Sequence, residues 1–223
     1  QPRRHQRAPD HGRQFQLGQT EVVALPGLET YSEDQIFKAR ELSPAFAHYE
    51  RLLQLTSIDG LHARRHRAWC EYVLATFYGT ATTTAICAHW SKTADVILWE
   101  AWRETGLHEF EAVLFALGKH GASELNLSSD IDLLIVAEPK HALEAEKRLR
   151  RFQHLLHFPT EFGFCFRLDF DLRPGGKMGP LITSPSQFQD YYWSQGETWE
   201  RLALVRMRAV AGPQKIKKQI GDL

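Results

Sequence analysis

The chain has 223 residues, 43% of them hydrophobic and six of them tryptophan, enough to fill one sizeable core with a smaller helical annex. Acidic and basic residues balance at 27 each, so no global field draws the chain to nucleic acid or to a membrane surface. Three widely spaced cysteines, Cys70, Cys87 and Cys165, form no CxxC pair; this argues against a zinc ribbon or a disulfide framework and reads as reduced, mostly buried thiols of a cytoplasmic protein.

In chain order, residues 1–30 interleave Arg3, Arg4, Arg7 and Arg13 with Gln, Pro, His and Gly, and are expected to form a disordered basic tail. No apolar run there suggests a signal peptide, and none elsewhere approaches the roughly 18 residues of a membrane span. Ser32 and Gln35 fit a capping box that opens a helix. Ser43-Pro44 reads as a cap followed by proline at the first helical position, and Leu52, Leu53 and Leu55 continue an apolar face. The spacing predicts a helix over 61–77 that stops at Gly79. It predicts another over 93–104, with Ala94, Ile97, Leu98 and Trp102 on one face, ending at Gly106. Residues 31–109 are therefore expected to be a helical region.

The pattern changes near residue 110. Short apolar runs at 112–117 and 131–136 read as buried strands, with a helix predicted over 141–157. From 164 to 172 the sequence alternates. Phe164, Phe166, Leu168, Phe170 and Leu172 are expected on one face, and Cys165, Arg167, Asp169 and Asp171 on the other. Arg173-Pro174-Gly175-Gly176 is a loop. Helices are predicted over 185–193 and 198–210, so residues 183–223 form a C-terminal helical segment beside a core at 110–182. The fold class is α+β: a small mixed or antiparallel sheet flanked by helical segments.

The segment from Gly118 to Asp132 carries the chemistry. A strand ends in a glycine-containing turn, and Asp-x-Asp opens the next strand. The period of two puts Asp130 and Asp132 on one face, where two carboxylates repel unless a cation lies between them. Hard cations such as Mg²⁺ prefer oxygen ligands and keep phosphate oxygens in their shell. Asp169 or Asp171 on a neighbouring strand would supply a third carboxylate. The plainer alternative is that these aspartates cap a strand and face water.

The run Gly118-Lys119-x-Gly121-x-x-Glu124-Leu125-Asn126-x-Ser128-Ser129-Asp130-Ile131-Asp132-Leu133 resembles the signature of bacterial glutamine synthetase adenylyltransferase. Arg167-Leu168-Asp169-x-x-Leu172-Arg173-Pro174 resembles the strand and loop of the third acid. Gly179-Pro180-Leu181, Tyr191-Tyr192, Gln195-Gly196, Trp199-Glu200-Arg201, Arg206, Arg208 and the 209–212 stretch resemble the family's closing segment. The resemblance implies a nucleotidyltransferase core like that of DNA polymerase β. Family enzymes carry two catalytic halves, and this chain is long enough for one. One half adenylylates a tyrosine of glutamine synthetase with ATP; the other removes the AMP by phosphorolysis, giving ADP. The Asn-x-Ser-Ser-Asp-Ile-Asp spelling is closer to the removing half. Ala116, Ala122 and Asp171 depart from the family's usual glycines and arginine.

The resemblance implies that Asp130, Asp132 and Asp169 bind Mg²⁺ or Mn²⁺ and are the catalytic acids. Lys119, Gly121, Ser129, Arg167 and Arg173 would contact phosphate or nucleotide. For Lys119 the alternative is a solvent-exposed lysine, for Gly121 simple turn geometry, and for the two arginines structural ion pairs to Asp171 or Glu161. Tyr191, Tyr192, Trp193 and Trp199 could stack an adenine or simply pack the helices. His62 and His66 sit one helical turn apart among arginines, a poor place for a metal. Glutamine synthetase is the implied protein substrate and the PII signalling protein an implied regulator. A docking module that keeps the fold without catalysis is the rival reading from another class.

Overall fold

The computed structural model describes residues 31–42, 46, 60–213, 216, 218 and 220. The expected tail over 1–30, the Ser43-Pro44 cap and the face formed by Leu52, Leu53 and Leu55 lie outside these residues. Helix α1 (Glu33–Leu42) starts behind the expected capping box: Ser32 N–H donates to Gln35 Oε1 at 2.9 Å and Gln35 N–H to Ser32 Oγ at 3.3 Å. Helix α2 (Leu61–Tyr78) stops at Gly79, whose φ of 63° is left-handed. Helix α3 (Thr83–Glu104) begins well before the expected residue 93. Thr82 caps it by accepting the Ala85 N–H at 3.2 Å, and the threonines that follow are poor helix formers that hid the true start.

Strand β1 (Ala112–Ala116) pairs antiparallel with β2 (Ile131–Ala137), with Ala112 opposite Ala137 and Ala116 opposite Leu133. The one-turn helix α4 (Gly118–Gly121) follows β1, and helix α5 (Ala142–His157) follows β2. Two short strands, β3 (Leu168–Asp169) and β4 (Ile182–Thr183), run parallel to β2 along its other edge, near its start and its end respectively. Helices α6 (Pro185–Ser194) and α7 (Thr198–Leu204) lead to β5 (Arg208–Ala211), antiparallel to β1. The sheet is mixed, in the order β3-β2-β1-β5, with β4 also on β2.

Both faces of the central strands are covered, which is why they read as unbroken apolar runs. Ala112, Leu114, Ala116, Leu133 and Ile135 pack with Trp90, Ile97, Leu98 and Trp102 of α3 and with Leu149 and Phe152 of α5. Val113, Phe115, Leu134 and Val136 pack on the opposite face with Phe188 and Tyr192 of α6.

Two expectations are corrected. The long alternating strand over 164–172 is reduced to Leu168–Asp169. Cys165 and Phe166 are both buried, so the alternation fails there, and both backbone N–H groups turn to the Leu156 carbonyl of α5 rather than to a strand. The helix expected through residue 210 ends at Leu204, and Met207 N–H returns to the Leu204 carbonyl at 2.8 Å. Residues Arg208–Ala211 then take the open edge of β1. Satisfying a buried strand edge outweighs local helical periodicity.

The free thiols of Cys70 and Cys165 are buried, and burial pushes the Cys165 thiol up to about 12 and that of Cys70 higher still, which makes both inert as nucleophiles. Among the described residues, no helix is long and apolar enough to cross a membrane.

Candidate active site

The three aspartates expected to form the site lie where β2 and β3 begin. Asp132 and Asp169 are register partners on adjacent parallel strands, and Asp130 stands one residue before β2. The local fold follows from main-chain bonds on both sides. Leu117 N–H donates to the Asp132 carbonyl at 2.9 Å, and Ile131 N–H donates to the Arg167 carbonyl at 2.9 Å. The end of β1, the start of β2 and the approach to β3 are thus tied within two residues of the carboxylates.

Gly118 makes room for this cluster. Its φ is 53°, and a Cβ built there would lie 2.3 Å from Asp132 Oδ2. Asp132 is half-buried, and burial pushes its carboxyl up from the ordinary range. The neighbouring Asp169 and Asp130 carboxylates push the same way, while Lys119 and His120 pull down.

The other two carboxylates have partners. Asp130 Oδ1 accepts from Arg167 Nε at 2.5 Å, and Arg167 Nη2 also donates to the Ser128 carbonyl at 2.7 Å. Asp169 Oδ1 accepts the Asp171 N–H at 2.7 Å. Among the described residues, no three His, Cys, Asp or Glu side chains stand close enough together to hold a metal ion as they are. The chemistry of the donors nonetheless suits a hard divalent cation: three carboxylates, with mutual repulsion at Asp132 that positive charge would relieve.

Of the expected phosphate contacts, Lys119, Ser129 and Arg167 lie beside the acids. Lys119 Nζ donates to Ser129 Oγ at 3.2 Å, and Ser129 Oγ donates to Asn126 Oδ1 at 2.9 Å. Asn126 Oδ1 also accepts from Ser128 N–H and Oγ, so this one amide oxygen organises the turn into β2. Gly121 and Arg173 are engaged elsewhere. A Cβ on the buried Gly121 would come within 2.0 Å of the Arg206 carbonyl oxygen and 2.8 Å of that of Ala116. Arg173 is buried and donates to the carbonyls of Phe170, Lys177 and Gly179 at 2.9, 2.9 and 3.1 Å, closing the loop after β3. Asp171 Oδ1 lies 3.6 Å from Arg173 Nη1 and its Oδ2 lies 3.3 Å from Lys177 Nζ.

The aromatic candidates divide. Tyr192 is buried against Phe188 and donates its hydroxyl to the Leu172 carbonyl at 3.0 Å, and Tyr191 donates to Glu200 Oε1 at 2.8 Å. Trp193 and Trp199 are exposed. His62 Nε2 lies 3.0 Å from the Phe158 carbonyl oxygen, and His66 packs in the core beside Cys70 and Trp69.

One cluster behind the site was not anticipated. Arg208 donates through both Nη atoms to the two oxygens of Asp95, at 2.8 and 3.0 Å. It also donates to the carbonyls of His120 and Gly121, at 3.0 and 3.3 Å. His120 is fully buried, with Nε2 3.1 Å from Asp95 Oδ1 but outside hydrogen-bond alignment. Burial pushes Asp95 up, but His120 and Arg208 outweigh it and hold the carboxyl below the ordinary range. The Gly118-Lys119-His120 spelling marked the turn in sequence. Nothing local tied it to Asp95 or Arg208, which lie on other elements.

The profile of the family described as glutamate-ammonia ligase adenylyltransferase matches residues 38–222. A bifunctional glutamine synthetase adenylyltransferase/adenylyl-removing enzyme of Nitrosococcus oceani is 43% identical over 111 residues, covering 45% of this chain and 12% of the relative. Proteins of the same description from Psychromonas ingrahamii and Pseudomonas aeruginosa are 40% identical over 108 residues and 41% identical over 119 residues. These stretches cover 44% and 48% of this chain, and 11% and 12% of the respective relatives. The aligned stretch is thus about 12% of the length of the relatives it matches.

Proposed function

We propose, for a chain that belongs to the glutamate-ammonia ligase adenylyltransferase family, that residues 110–182 are the core of a metal-dependent nucleotidyltransferase acting on adenylylated glutamine synthetase. The fold of this core is read as polymerase β-like, with helices α1–α3 and α6–α7 as flanks and β5 added to the edge of the core sheet. The observation that carries the reading is the pairing of Asp132 with Asp169 across β2 and β3, with Asp130 alongside.

In the proposed reaction, inorganic phosphate attacks the phosphorus of the AMP group on a glutamine synthetase tyrosine. The bond from phosphorus to the tyrosine oxygen breaks, that oxygen leaving with the electron pair and taking up a proton to restore the tyrosine hydroxyl; a phosphoanhydride bond forms and ADP is released. Phosphate arrives already anionic, so deprotonating it matters less than holding it in line. Asp130, Asp132 and Asp169 would hold Mg²⁺ or Mn²⁺, which when bound supplies charge neutralisation at the transferred phosphoryl group.

The chain's own residues do the rest. Gly118 keeps the space beside Asp132 open. Lys119 Nζ, held against Ser129 Oγ, places a positive charge beside the acids. Arg167 offers a fork suited to phosphate oxygens once Asp130 turns away from it. Gly121 and Arg173 support the site through backbone packing and loop closure. Glutamine synthetase is the proposed substrate, PII the proposed regulator and the cytoplasm the proposed compartment. The relatives' bifunctional names and the Asn126-to-Asp132 spelling support this family of reactions, with removal as the chosen direction.

The test is ADP release from adenylylated glutamine synthetase with Mg²⁺ and phosphate, comparing the wild-type chain with Asp130→Asn. Phosphate-dependent ADP that vanishes in the variant supports the reading. Incorporation of AMP from ATP into unmodified glutamine synthetase, with no ADP release, reverses the direction. No turnover and no Mg²⁺-dependent nucleotide binding by a folded chain sinks it in favour of a docking module.

A further inference from the structure

We propose that Arg208 and Asp95 are positioning residues that hold the Gly118–Gly121 turn against the acidic site. This rests on the nucleotidyltransferase reading above. A four-residue helix cannot sustain itself, since nucleation costs more than one turn of hydrogen bonds returns. Its last carbonyls also have no partner within the helix. Arg208 donates to two of them, the His120 and Gly121 oxygens; that of His120 also accepts the Ser123 N–H at 3.0 Å, so Arg208 ties this turn to β5 as well as to its own backbone.

The guanidinium is itself fixed at both ends. Its backbone lies in β5, opposite Ala116 of β1, and its Nη atoms grip the Asp95 carboxylate on α3. The fork geometry matters because one planar group must satisfy a carboxylate and two carbonyls together. A lysine at this position could reach only part of that set. The other end of the same turn carries Gly118, with no side chain beside Asp132 Oδ2, and Lys119, bonded to Ser129. A turn that slips would push Gly118 into the Asp132 carboxylate and carry Lys119 off the phosphate side. Arg208 touches none of the three acids, so its effect on the site passes through the turn.

The test uses Arg208→Lys and Asp95→Asn in the full chain, with three measurements. These are amide hydrogen exchange, calorimetric titration with ADP in the presence of Mg²⁺, and the thermal midpoint. Exchange is expected to accelerate at the Gly121 and Ala122 amides, which now donate to the Leu117 and Gly118 carbonyls at 2.8 and 3.2 Å. ADP affinity is expected to fall about tenfold, the scale of one lost charge-assisted hydrogen bond. Exchange in α2 and α5 should stay at the wild-type rate.

Wild-type ADP affinity in both variants overturns the proposal. So does faster exchange in α2 and α5 in step with the turn, because that outcome makes the pair a general support of the fold. If the wild-type chain binds no ADP with Mg²⁺, the nucleotidyltransferase reading fails instead. Turn exchange in the variants then judges the mechanical link alone: local acceleration sustains it, and a wild-type rate overturns it.

Discussion

Arg167 and Asp130 form an ion pair, Nε to Oδ1 at 2.5 Å, which engages one carboxylate oxygen of Asp130. Both side chains are about half exposed, at 60% and 49%, so the pair contributes at most about 1 kcal/mol and opens readily. Under the proposed function it competes with a bound cation for that carboxylate. Arg167→Ala should tighten Mn²⁺ binding by roughly two- to fivefold, the equivalent of that pair energy. Titration of Mn²⁺ followed by electron paramagnetic resonance measures it; weaker binding would show that Arg167 assists the site rather than blocking it.

Asp132 gives a stability signature. Its folded-state pKa is raised by burial and by Asp169 and Asp130, so the ionised form opposes folding. That cost is absent below the ordinary carboxylate pKa, where Asp132 is protonated both folded and unfolded. It grows as pH rises through the raised value and is fully present above it. Metal-free Asp132→Asn should therefore unfold at a higher temperature than wild type at neutral pH, with the advantage shrinking toward pH 3. Calorimetry across pH without divalent ions tests this; a variant less stable at neutral pH would contradict it.

The two glycines of the turn should separate by mechanism. Gly121→Ala drives a methyl into two backbone carbonyls that cannot swing aside, so a loss of about 3 kcal/mol is expected. Gly118→Ala meets the end of a carboxylate side chain and a left-handed φ, so about 1–2 kcal/mol is expected. Gly118→Ala should also displace Asp132 and weaken Mn²⁺ binding beyond what its stability loss explains. Urea unfolding paired with metal titration separates the two effects.

Arg173 should behave as a structural residue. It is 7% exposed, and it joins three loop carbonyls. Arg173→Met should cost about 2–3 kcal/mol through the unsatisfied carbonyls it leaves. Any enzyme that stays folded should keep its affinity for phosphate. A large rise in phosphate KM at unchanged thermal stability would restore Arg173 to the phosphate contacts.

Much of this was legible in the sequence. The capping box at Ser32, the stop at Gly79 and the two buried runs around the Asp-x-Asp each have a local cause. That Asp132 and Asp169 lie on paired strands was legible as well, because a period of two and a neighbouring acidic segment suffice to suggest it. What escaped was decided by distant partners. The alternation from Phe164 to Leu172 looked like a strand, but the end of α5 captured its first amides. The turn from α7 into β5 was invisible because Arg208–Ala211 becomes a strand only against β1. The same blindness hid Asp95, whose partners stand at His120 and Arg208.

The pairing of β1 with β5 has a consequence for how the molecule is made. β1 meets β2 after a short connection, but its other edge waits for Arg208–Ala211 near the far end of the described chain. Closing so long a loop is entropically slow, and during synthesis an apolar strand stays bare until β5 has emerged. That interval is when such an edge can pair with the wrong neighbour. The strand that completes the sheet also carries Arg208, so the turn beside the acids is braced only when the sheet is complete. A half-made molecule would thus have its aspartates before it could use them.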